Sequence, residues 1–224
     1  MRRGGAGGAG DRGMSRKFVI WGCGGHGREV NFLCEDLSAE VVGFLDERVE
    51  MKGVVIDDVP VLGDVHDISH LKDKVEVVCA GVGDPALKKR FFQKTVDAGF
   101  RPAAPLVHPS VVISRRVELG IGCVVCAGSV LTVNIRLGVC VIVNRIVNIG
   151  HDCHIGDFCT LSPGANLSGN VTLDEGVYVG TGASIREKLQ IGAWSVIGGG
   201  AFVKDDVPGR CLFAGVPAVL KHQL

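Results

Sequence analysis

Aliphatic residues recur at every sixth position over a long stretch of the chain, and the count never slips. An α-helix repeats its apolar positions about every 3.6 residues and a strand about every 2, so neither explains a strict period of six. The period is that of a β-helix built from hexapeptides, in which three hexads form one triangular coil. Each aliphatic side chain is then expected to point inward and to stack on its equivalent one coil further on. The repeating positions are Ile113, Leu119, Val125, Leu131, Leu137, Val143, Ile149, Ile155, Leu161, Leu167, Leu173, Val179, Ile185, Ile191, Ile197 and Val203.

The segment before the repeat shows short apolar runs separated by polar and glycine-containing stretches. Lys17–Trp21 (KFVIW), residues 41–45 (VVGFL) and residues 75–80 (VEVVCA) are apolar enough to form buried strands. Between the first two, residues 28–37 carry apolar side chains at helical spacing. Strands that alternate with helices predict a small parallel sheet of Rossmann-like type.

A second helix is predicted after the third strand. Asp84 suits its N-cap, Pro85 its first position and Gly99 its end. The helical spacing directs three apolar side chains inward, namely Leu87, Phe91 and Val96. At about 90 residues the α/β unit buries little surface by itself, so we expect it to pack against the β-helix.

These changes of pattern divide the chain into four segments. Residues 1–13 are rich in glycine and lack an apolar run, which predicts a disordered tail before a start at Met14. Residues 14–107 then form the α/β unit and residues 108–204 the β-helix. Residues 205–224 do not continue the repeat and are expected to cover the open edge of the last coil.

The composition limits the classes of partner and compartment. The chain carries 24 basic and 24 acidic residues, so its formal net charge of zero offers no overall field for nucleic acid or an anionic membrane. No apolar run reaches the length of a membrane span. Nine cysteines follow no signal peptide, and Cys123, Cys153 and Cys159 fall at inward positions of the repeat. We therefore expect reduced core thiols in a cytoplasmic protein.

A glycine-rich turn at residues 22–27 (GCGGHG) joins the first strand to the first helix. Free backbone N–H groups and the helix dipole favour an anion at such a helix N-terminus, typically a phosphate. Asp46 ends the next strand, where its carboxylate suits a ribose hydroxyl or a base N–H. A dehydrogenase and a turn that only serves packing both remain open. The unit has too few strands for a full dinucleotide fold, which favours a mononucleotide or a nucleotide-sugar.

The repeat carries a polar corner within residues 148–162 (NIGHDCHIGDFCTLS). By the repeat count, His151 and Asp152 fall between two hexads, where side chains reach solvent or another subunit. A carboxylate next to a histidine can hold its tautomer and raise its basicity, so the pair is a candidate general base. The alternative is a plain surface histidine, and that interpretation is stronger for His154. A zinc site would need three suitably placed histidines, and the repeat holds two, so no metal is expected.

Short motifs from both halves of the chain occur together in one family. They are GCGGHG at 22–27, FLDE at 44–47, AGVGD at 80–84, VHPS at 107–110, GHDCHIGDF at 150–158, LSPGA at 161–165, LSGN at 167–170 and AGVPA at 214–218. With them, the chain resembles the acetyl-CoA-dependent nucleotide-amino-sugar N-acetyltransferases of the bacillosamine and perosamine pathways, and their sialic acid O-acetyltransferase relatives. The resemblance covers essentially everything after Lys17.

This resemblance implies a fold and a catalytic centre. The fold is an α/β N-terminal domain with a Rossmann-like parallel sheet, followed by an all-β left-handed parallel β-helix, assembled as a homotrimer. The N-terminal domain binds the nucleotide-sugar, and acetyl-CoA lies in a groove between adjacent β-helices. His151 matches the catalytic base and Asp152 the carboxylate beside it. The backbone N–H of Gly169 matches the group that binds the thioester oxygen, and would form the oxyanion hole.

Further matches assign the ligand contacts. The residues that match coenzyme-A contacts are Gly169, Thr181, Gly199, Gly215, Pro217 and Ala218. Those that match nucleotide contacts are Gly24, Gly25, His26, Asp46, Glu47 and Gly83.

Two positions depart from the family pattern. Thr160 stands where some relatives carry a second histidine near the thioester; its hydroxyl could donate a hydrogen bond there but cannot act as a base. Lys221 follows the GVPA motif two residues later than the basic residue that is expected to meet the coenzyme-A phosphates.

The resemblance implies transfer of acetyl from acetyl-CoA to the C4 amine of a nucleotide-linked 4-amino-4,6-dideoxyhexose, with UDP as the first expectation for the nucleotide. The amine attacks the thioester directly while His151 takes the proton, so no covalent intermediate is required. The alternatives are a GDP- or dTDP-linked amine, O-acetylation of a sialic acid, and a non-catalytic nucleotide-sugar-binding trimer.

Overall fold

The computed structural model describes residues 16–224; the disordered tail and the start at Met14 that the sequence predicts lie outside these residues. A five-stranded sheet opens the described part of the chain, in the order β3-β4-β2-β1-β5. Its strands are β1 (Lys17–Trp21), β2 (Glu40–Leu45), β3 (Val55–Ile56), β4 (Val59–Gly63) and β5 (Glu76–Val78). Neighbouring strands are parallel except β3 and β4, which are antiparallel.

The sequence predicted β1, β2 and β5 but not the β3–β4 hairpin, so the sheet is mixed rather than wholly parallel. Asp57 and Asp58 join the two strands with φ angles of 49° and 63°. A two-residue turn with both φ angles positive matches the right-handed twist of a hairpin. Asp-Asp adopts it here in place of the Asn-Gly or Asp-Gly pairs that usually signal such a turn.

Two α-helices flank this sheet: α1 (Gly25–Asp36) and α2 (Pro85–Asp97); short 3₁₀ helices span Val49–Met51 and Val65–Leu71. Helix α1 begins three residues earlier than predicted, because Gly24 has extended backbone and acts as the N-cap. Gly27 therefore lies in the first turn, against the carbonyl of Gly22, where a Cβ would overlap that oxygen. Only glycine permits this close approach between helix and strand.

Helix α2 begins as predicted, since the Asp84 side chain accepts a hydrogen bond from the Leu87 amide at 2.8 Å. Its buried face is different from the one expected. Phe91 is buried, but Val96 is 44% exposed, and the polar side chains of Lys88 and Thr95 point inward. Positions 88, 91 and 95 also lie on one helical face. There the Lys88 amine and the Thr95 hydroxyl both form hydrogen bonds within the protein.

Three sheets form the faces of the β-helix, parallel throughout except for the last strand of the third, which confirms the hexapeptide repeat. Strands one coil apart pair in a register of eighteen residues, as Leu131 does with Ile149 and Leu137 with Ile155. The first face holds β7 (Val112–Ile113), β10 (Val130–Leu131), β13 (Asn148–Ile149), β16 (Asn166–Leu167), β19 (Ser184–Ile185) and β22 (Phe202–Val203). The second holds β8 (Val117–Leu119), β11 (Ile135–Leu137), β14 (His154–Ile155), β17 (Thr172–Leu173) and β20 (Gln190–Ile191). The third holds β6 (Leu106–Val107), β9 (Val124–Val125), β12 (Ile142–Val143), β15 (Thr160–Leu161), β18 (Tyr178–Val179), β21 (Val196–Ile197), β23 (Cys211–Ala214) and β24 (Val219–Gln223).

The aliphatic residue of each hexad from Val125 to Val203 is buried in one continuous stack. Ile113 is 37% exposed, because β7 lies at the end of its face and no strand stacks below it. The cysteines predicted inward are buried and serve as corner donors. The Cys123, Cys153 and Cys159 thiols each donate to a carbonyl fifteen residues ahead, at 3.0–3.2 Å.

One face and the C-terminal end of the β-helix are covered by other parts of the chain. On the third face, the outer side chains of Val124 and Ile142 share a core with Phe18 and Ile20 of the α/β unit. At the C-terminal end, β23 pairs in parallel with β21, and β24 turns back antiparallel along β23. The boundaries of the four sequence segments stay a prediction.

Replacing Ile155 by alanine should destabilise the coil stack. Ile155 is fully buried, and its neighbours are fixed by backbone pairing above and below, so the space cannot collapse. We expect Ile155→Ala to lower the free energy of unfolding by about 2–5 kcal/mol, measured by urea unfolding followed by circular dichroism. His154→Ala, on the exposed side of the same strand, should change it by no more than about 0.5 kcal/mol. Equal losses in both variants would contradict the inward orientation of Ile155.

Candidate active site

His151 and Asp152 lie at the corner between β13 and β14, as the repeat count predicts. Asp152 has a φ of 58°, a left-handed conformation that aspartate tolerates in tight turns. Its Oδ2 lies 2.7 Å from the His151 Nδ1, and its Oδ1 accepts from Asn134 Nδ2 at 3.1 Å. Those two hydrogen bonds, that from His151 first, hold the pKa of the Asp152 carboxyl below its usual value. The carboxylate is therefore fixed on both oxygens and orients the imidazole.

Gly169 occupies the equivalent corner one coil above His151. A Cβ on Gly169 would overlap the imidazole on its Nε2 side, so the absence of a side chain makes room for the ring. The Gly169 carbonyl accepts from the Lys188 amide at 3.0 Å. Its own N–H donates to no acceptor within residues 16–224. The corner therefore presents an imidazole nitrogen beside an unpaired backbone donor.

The glycine-rich turn leaves the start of α1 open to a ligand. A Cβ added at Gly24 or Gly25 would meet nothing within 4 Å. His26 lies deeper, with its Nδ1 3.5 Å from a Glu29 carboxylate oxygen. Its buried Nε2 has no partner among the residues described. Burial lowers the pKa of the His26 imidazole, which favours its neutral form beside the helix N-terminus.

The two acidic residues predicted to contact the nucleotide are both held by cations of this chain. Arg48 donates hydrogen bonds to both Asp46 carboxylate oxygens at 2.9 Å, and the Cys23 thiol donates to one of these oxygens at 3.0 Å. The Arg48 hydrogen bonds hold the pKa of Asp46 well below its usual range. Glu47 instead turns towards α2, where it pairs with Arg90 and Lys94. Asp46 thus lies beside the turn, and Glu47 points away from it.

A cavity of about 230 Å³ lies between the glycine-rich turn and the β-helix, and it contains residues that the sequence reasoning missed. Its walls include His26, Gly83 and Thr160, together with Asn144 and Arg145 from the β-helix. Arg145 donates to Glu29 at 2.6 Å, and Asn144 is almost fully buried. The available signal was Asn144, which stands at a position where many other hexads place glycine.

Thr160 is placed differently from its expected role. Its side chain is 3% exposed, and its hydroxyl donates to the Gly83 carbonyl at 2.7 Å. The same oxygen accepts from the Lys88 ammonium at 2.7 Å. The single hydroxyl proton is thus engaged within the chain, and it does not point free towards a thioester.

The remaining positions that match coenzyme-A contacts lie near the end of the β-helix. Thr181 and Gly199 are exposed on one corner, one above the other, and Thr181 also borders the cavity. Gly215 has a φ of 108° and Pro217 follows a cis peptide bond, while Ala218 donates to the Phe202 carbonyl at 2.7 Å. Lys221 is exposed on β24.

One chain does not bring the two predicted sites together. The corner of His151 lies between the first and second faces, whereas Thr181 and the cavity lie between the third and first faces. A separate groove of about 570 Å³ runs beside Asp152 and includes His154 and three arginines, Arg115, Arg116 and Arg136. No residue of the α/β unit lines that groove.

Metal-binding clusters and membrane-spanning helices are both absent from residues 16–224. No group of three or more histidine, cysteine, aspartate or glutamate residues is arranged to hold a metal ion there. Over the same residues, no helix is long and apolar enough to cross a bilayer.

Comparison with known proteins gives consistent matches along the chain. Residues 17–95 match the family described as the PglD N-terminal domain. GDP-perosamine N-acetyltransferase from Escherichia coli O157:H7 is 28% identical over 90% of this chain and 94% of its own. The structure of PerB from Caulobacter crescentus, in complex with CoA and GDP-perosamine, is 31% identical over 92% of this chain and 97% of its own, with a TM-score of 0.84. The acetyltransferase domain of PglB from Neisseria gonorrhoeae, in complex with acetyl coenzyme A, is 31% identical over 92% of this chain and 100% of its own, with a TM-score of 0.79.

The stacked coils and the α/β unit define a hexapeptide-repeat acetyltransferase with a left-handed β-helix. More narrowly, the chain belongs to the nucleotide-amino-sugar N-acetyltransferase family that includes the perosamine and bacillosamine enzymes. The family and fold class predicted from the sequence are therefore confirmed, apart from the antiparallel hairpin in the first sheet.

A methyl group at position 169 should displace the imidazole without unfolding the coil. The His151 side chain is 60% exposed, so it can rotate away from the new Cβ. We expect Gly169→Ala to lower kcat for acetyl transfer by about 10²-fold, since the candidate base loses its position, while the melting temperature stays within a few degrees. Ser168→Ala changes the adjacent corner residue and should keep its activity. Full activity in Gly169→Ala would contradict this arrangement.

Proposed function

We propose that this protein transfers acetyl from acetyl-CoA to the C4 amine of a nucleotide-linked 4-amino-4,6-dideoxyhexose, with His151 as the general base. The observation that carries the proposal is the corner of His151, Asp152 and Gly169. At this corner an imidazole held by a carboxylate lies next to an unpaired backbone N–H. Amide formation from an amine and a thioester needs two such groups, a proton acceptor and a donor to the oxyanion.

The geometry assigns each group a step. Asp152 accepts the Nδ1–H of His151, which leaves the Nε2 lone pair free to take a proton. As the amine nitrogen bonds to the thioester carbon, its proton passes to Nε2 and the carbonyl oxygen gains negative charge. The Gly169 N–H can stabilise that charge. When the carbon–sulfur bond breaks, the imidazolium returns the proton to the departing thiolate, so that CoA leaves as the thiol.

The separation of the two sites within one chain supports a homotrimer. The corner of His151 and the cavity beside His26 lie at different edges of the triangular coil. In a closed ring of three copies, one edge of each coil faces a different edge of its neighbour. We propose that the base of one copy thereby meets the nucleotide-sugar and acetyl-CoA held at the neighbouring copy's cavity, Thr181 and Gly199.

The identity of the nucleotide is the most specific part of the proposed function. The relatives from Escherichia coli and Caulobacter crescentus are named for GDP-perosamine, so a GDP-linked sugar stands beside the UDP-linked sugar expected from the sequence. Asp46 can accept N–H groups from either base. We propose a 4-amino sugar in both cases, because the mechanism requires an amine at the base.

A thiol-release assay with acetyl-CoA tests the reaction class and the nucleotide together. The acceptors are UDP-, GDP- and dTDP-linked 4-amino sugars and free sialic acid. We expect rapid release with one of the amino sugars and none with sialic acid. Release only with sialic acid would move the enzyme to O-acetylation. No thiol release with any acceptor, together with no binding of acetyl-CoA, would overturn the proposal.

Removing the base should abolish turnover while the assembly survives. We expect His151→Gln to lower kcat by about 10²-fold or more, and Asp152→Asn by less, because the imidazole keeps its proton-accepting nitrogen. Both variants should elute as trimers in size-exclusion chromatography. His154→Gln is the matched control, three residues further on, and should keep its activity. Equal effects at His151 and His154 would contradict the assignment of the base.

A further inference from the structure

Lys88 is fully buried, although no carboxylate among residues 16–224 forms an ion pair with it. It lies one turn into α2, on the face that packs against the β-helix. Its Nζ donates to the Cys159 carbonyl at 2.8 Å and to the Thr160 hydroxyl at 2.7 Å. Burying an amine without a counter-ion carries a large free-energy penalty unless the amine is hydrogen-bonded. Burial accordingly lowers the pKa of Lys88 to about 7.

Packing alone does not explain this amine. Helix α2 already contacts the β-helix through the Phe92 and Phe158 rings, whose centroids are 5.8 Å apart. Lys89 adds an ion pair with Glu175 at 2.7 Å. An aliphatic side chain at position 88 would fill the same space without the burial penalty.

The distinctive feature of Lys88 is the chain of hydrogen bonds that it begins. Lys88 donates to the Thr160 oxygen, and Thr160 donates its proton to the Gly83 carbonyl. Because the amine occupies an acceptor site of the hydroxyl, it directs the hydroxyl proton towards Gly83. Gly83 immediately precedes Asp84, which caps the same helix. These hydrogen bonds therefore connect α2, the β-helix and the segment immediately before α2.

The end of this hydrogen-bond chain lies in the cavity beside the glycine-rich turn. Gly83 and Thr160 both line the cavity, together with His26. Gly83 has no side chain of its own to hold its backbone in place, and a Cβ there would meet nothing within 4 Å. The Thr160 hydroxyl is thus the side-chain contact that fixes its carbonyl.

We propose that Lys88 is a positioning residue which, through Thr160, fixes the Gly83 segment against the β-helix and so sets the affinity for the nucleotide-sugar. The kinetic part of the proposal rests on the proposed function. It also gives Thr160 a different role from a contact to the thioester. Loss of either member should loosen the cavity wall and leave acetyl-CoA binding unchanged.

Hydrogen exchange tests the structural part without any assay of activity. The variants are Lys88→Met, which keeps length and removes the amine, and Thr160→Val, which keeps shape and removes the hydroxyl. Both should speed amide exchange over residues 80–86 in the full-length trimer. Thr160→Ser keeps the hydroxyl and should retain protection, as should Gln93→Met, an exposed position whose side chain donates to Asp97 of the same helix. Unchanged exchange in both Lys88→Met and Thr160→Val would overturn the proposal.

Steady-state kinetics test the functional part, with GDP-perosamine or the panel sugar that gives the highest turnover. We expect Lys88→Met and Thr160→Val each to raise KM for that sugar by about tenfold, with KM for acetyl-CoA within about twofold of wild type. The double variant should be no worse than either single one, because both break the same chain of hydrogen bonds. A rise in KM for acetyl-CoA in Thr160→Val alone would assign Thr160 to the cofactor and overturn the proposal.

The exchange and kinetic experiments together distinguish failure of the role proposed for Lys88 from failure of the proposed function. If no acceptor is acetylated, the proposed function fails while the exchange experiment still decides whether Lys88 fixes the segment. If Lys88→Met does not fold, Thr160→Val carries the same test with a smaller change. Faster exchange with an unchanged KM for the sugar would overturn the link to affinity.

Discussion

The eighteen-residue pairing between coils is the constraint on which the rest of the molecule depends. Backbone hydrogen bonds between successive strands fix each residue above its equivalent one coil earlier. The inward aliphatic stack holds because every hexad obeys the same register. The pairing also forms the corner of the candidate active site, since it sets Gly169 directly above His151. An insertion of one residue within a strand between them would shift this register and turn an inward side chain outward.

The corner positions gain their chemistry from the turn that joins two faces. Many of these turns contain a residue of positive φ, such as Asn170, and the backbone N–H of the residue before it differs in its partner from corner to corner. The N–H of Val139 donates to Asp157 Oδ1 at 2.7 Å, whereas that of Gly169 has no acceptor within residues 16–224. Above His151 it stands beside an imidazole, and the same turn becomes a candidate oxyanion site. The fold therefore supplies the donor, and the side chains at the corner supply the candidate base.

The interface between the α/β unit and the β-helix is mostly apolar, with polar groups at defined points. Phe18 and Ile20 pack against outer side chains of the third face, which supplies the burial that the small unit lacks by itself. Lys88 and Thr160 are exceptions: they are hydrogen-bonded to each other, and Thr160 lines the cavity beside the glycine-rich turn. Beside the glycine-rich turn, Asp46 is already paired with Arg48, so a ligand there would meet an oriented ion pair rather than a bare carboxylate.

The sequence by itself determined the β-helix, the family and the corner of His151 and Asp152, because a strict period of six admits one architecture and places every residue on it. It also located the glycine-rich turn, since the φ of 93° at Gly22 and the close approach at Gly27 both require glycine. Tertiary structure decided the rest. Helical spacing could not tell whether Val96 or Lys88 faced inward, because that depends on which partners the opposite surface offers. The turn at Asp57 and Asp58, the engagement of Thr160 with Gly83, and the distance between the two half-sites all arise from contacts between segments far apart in the chain, which local pattern does not encode.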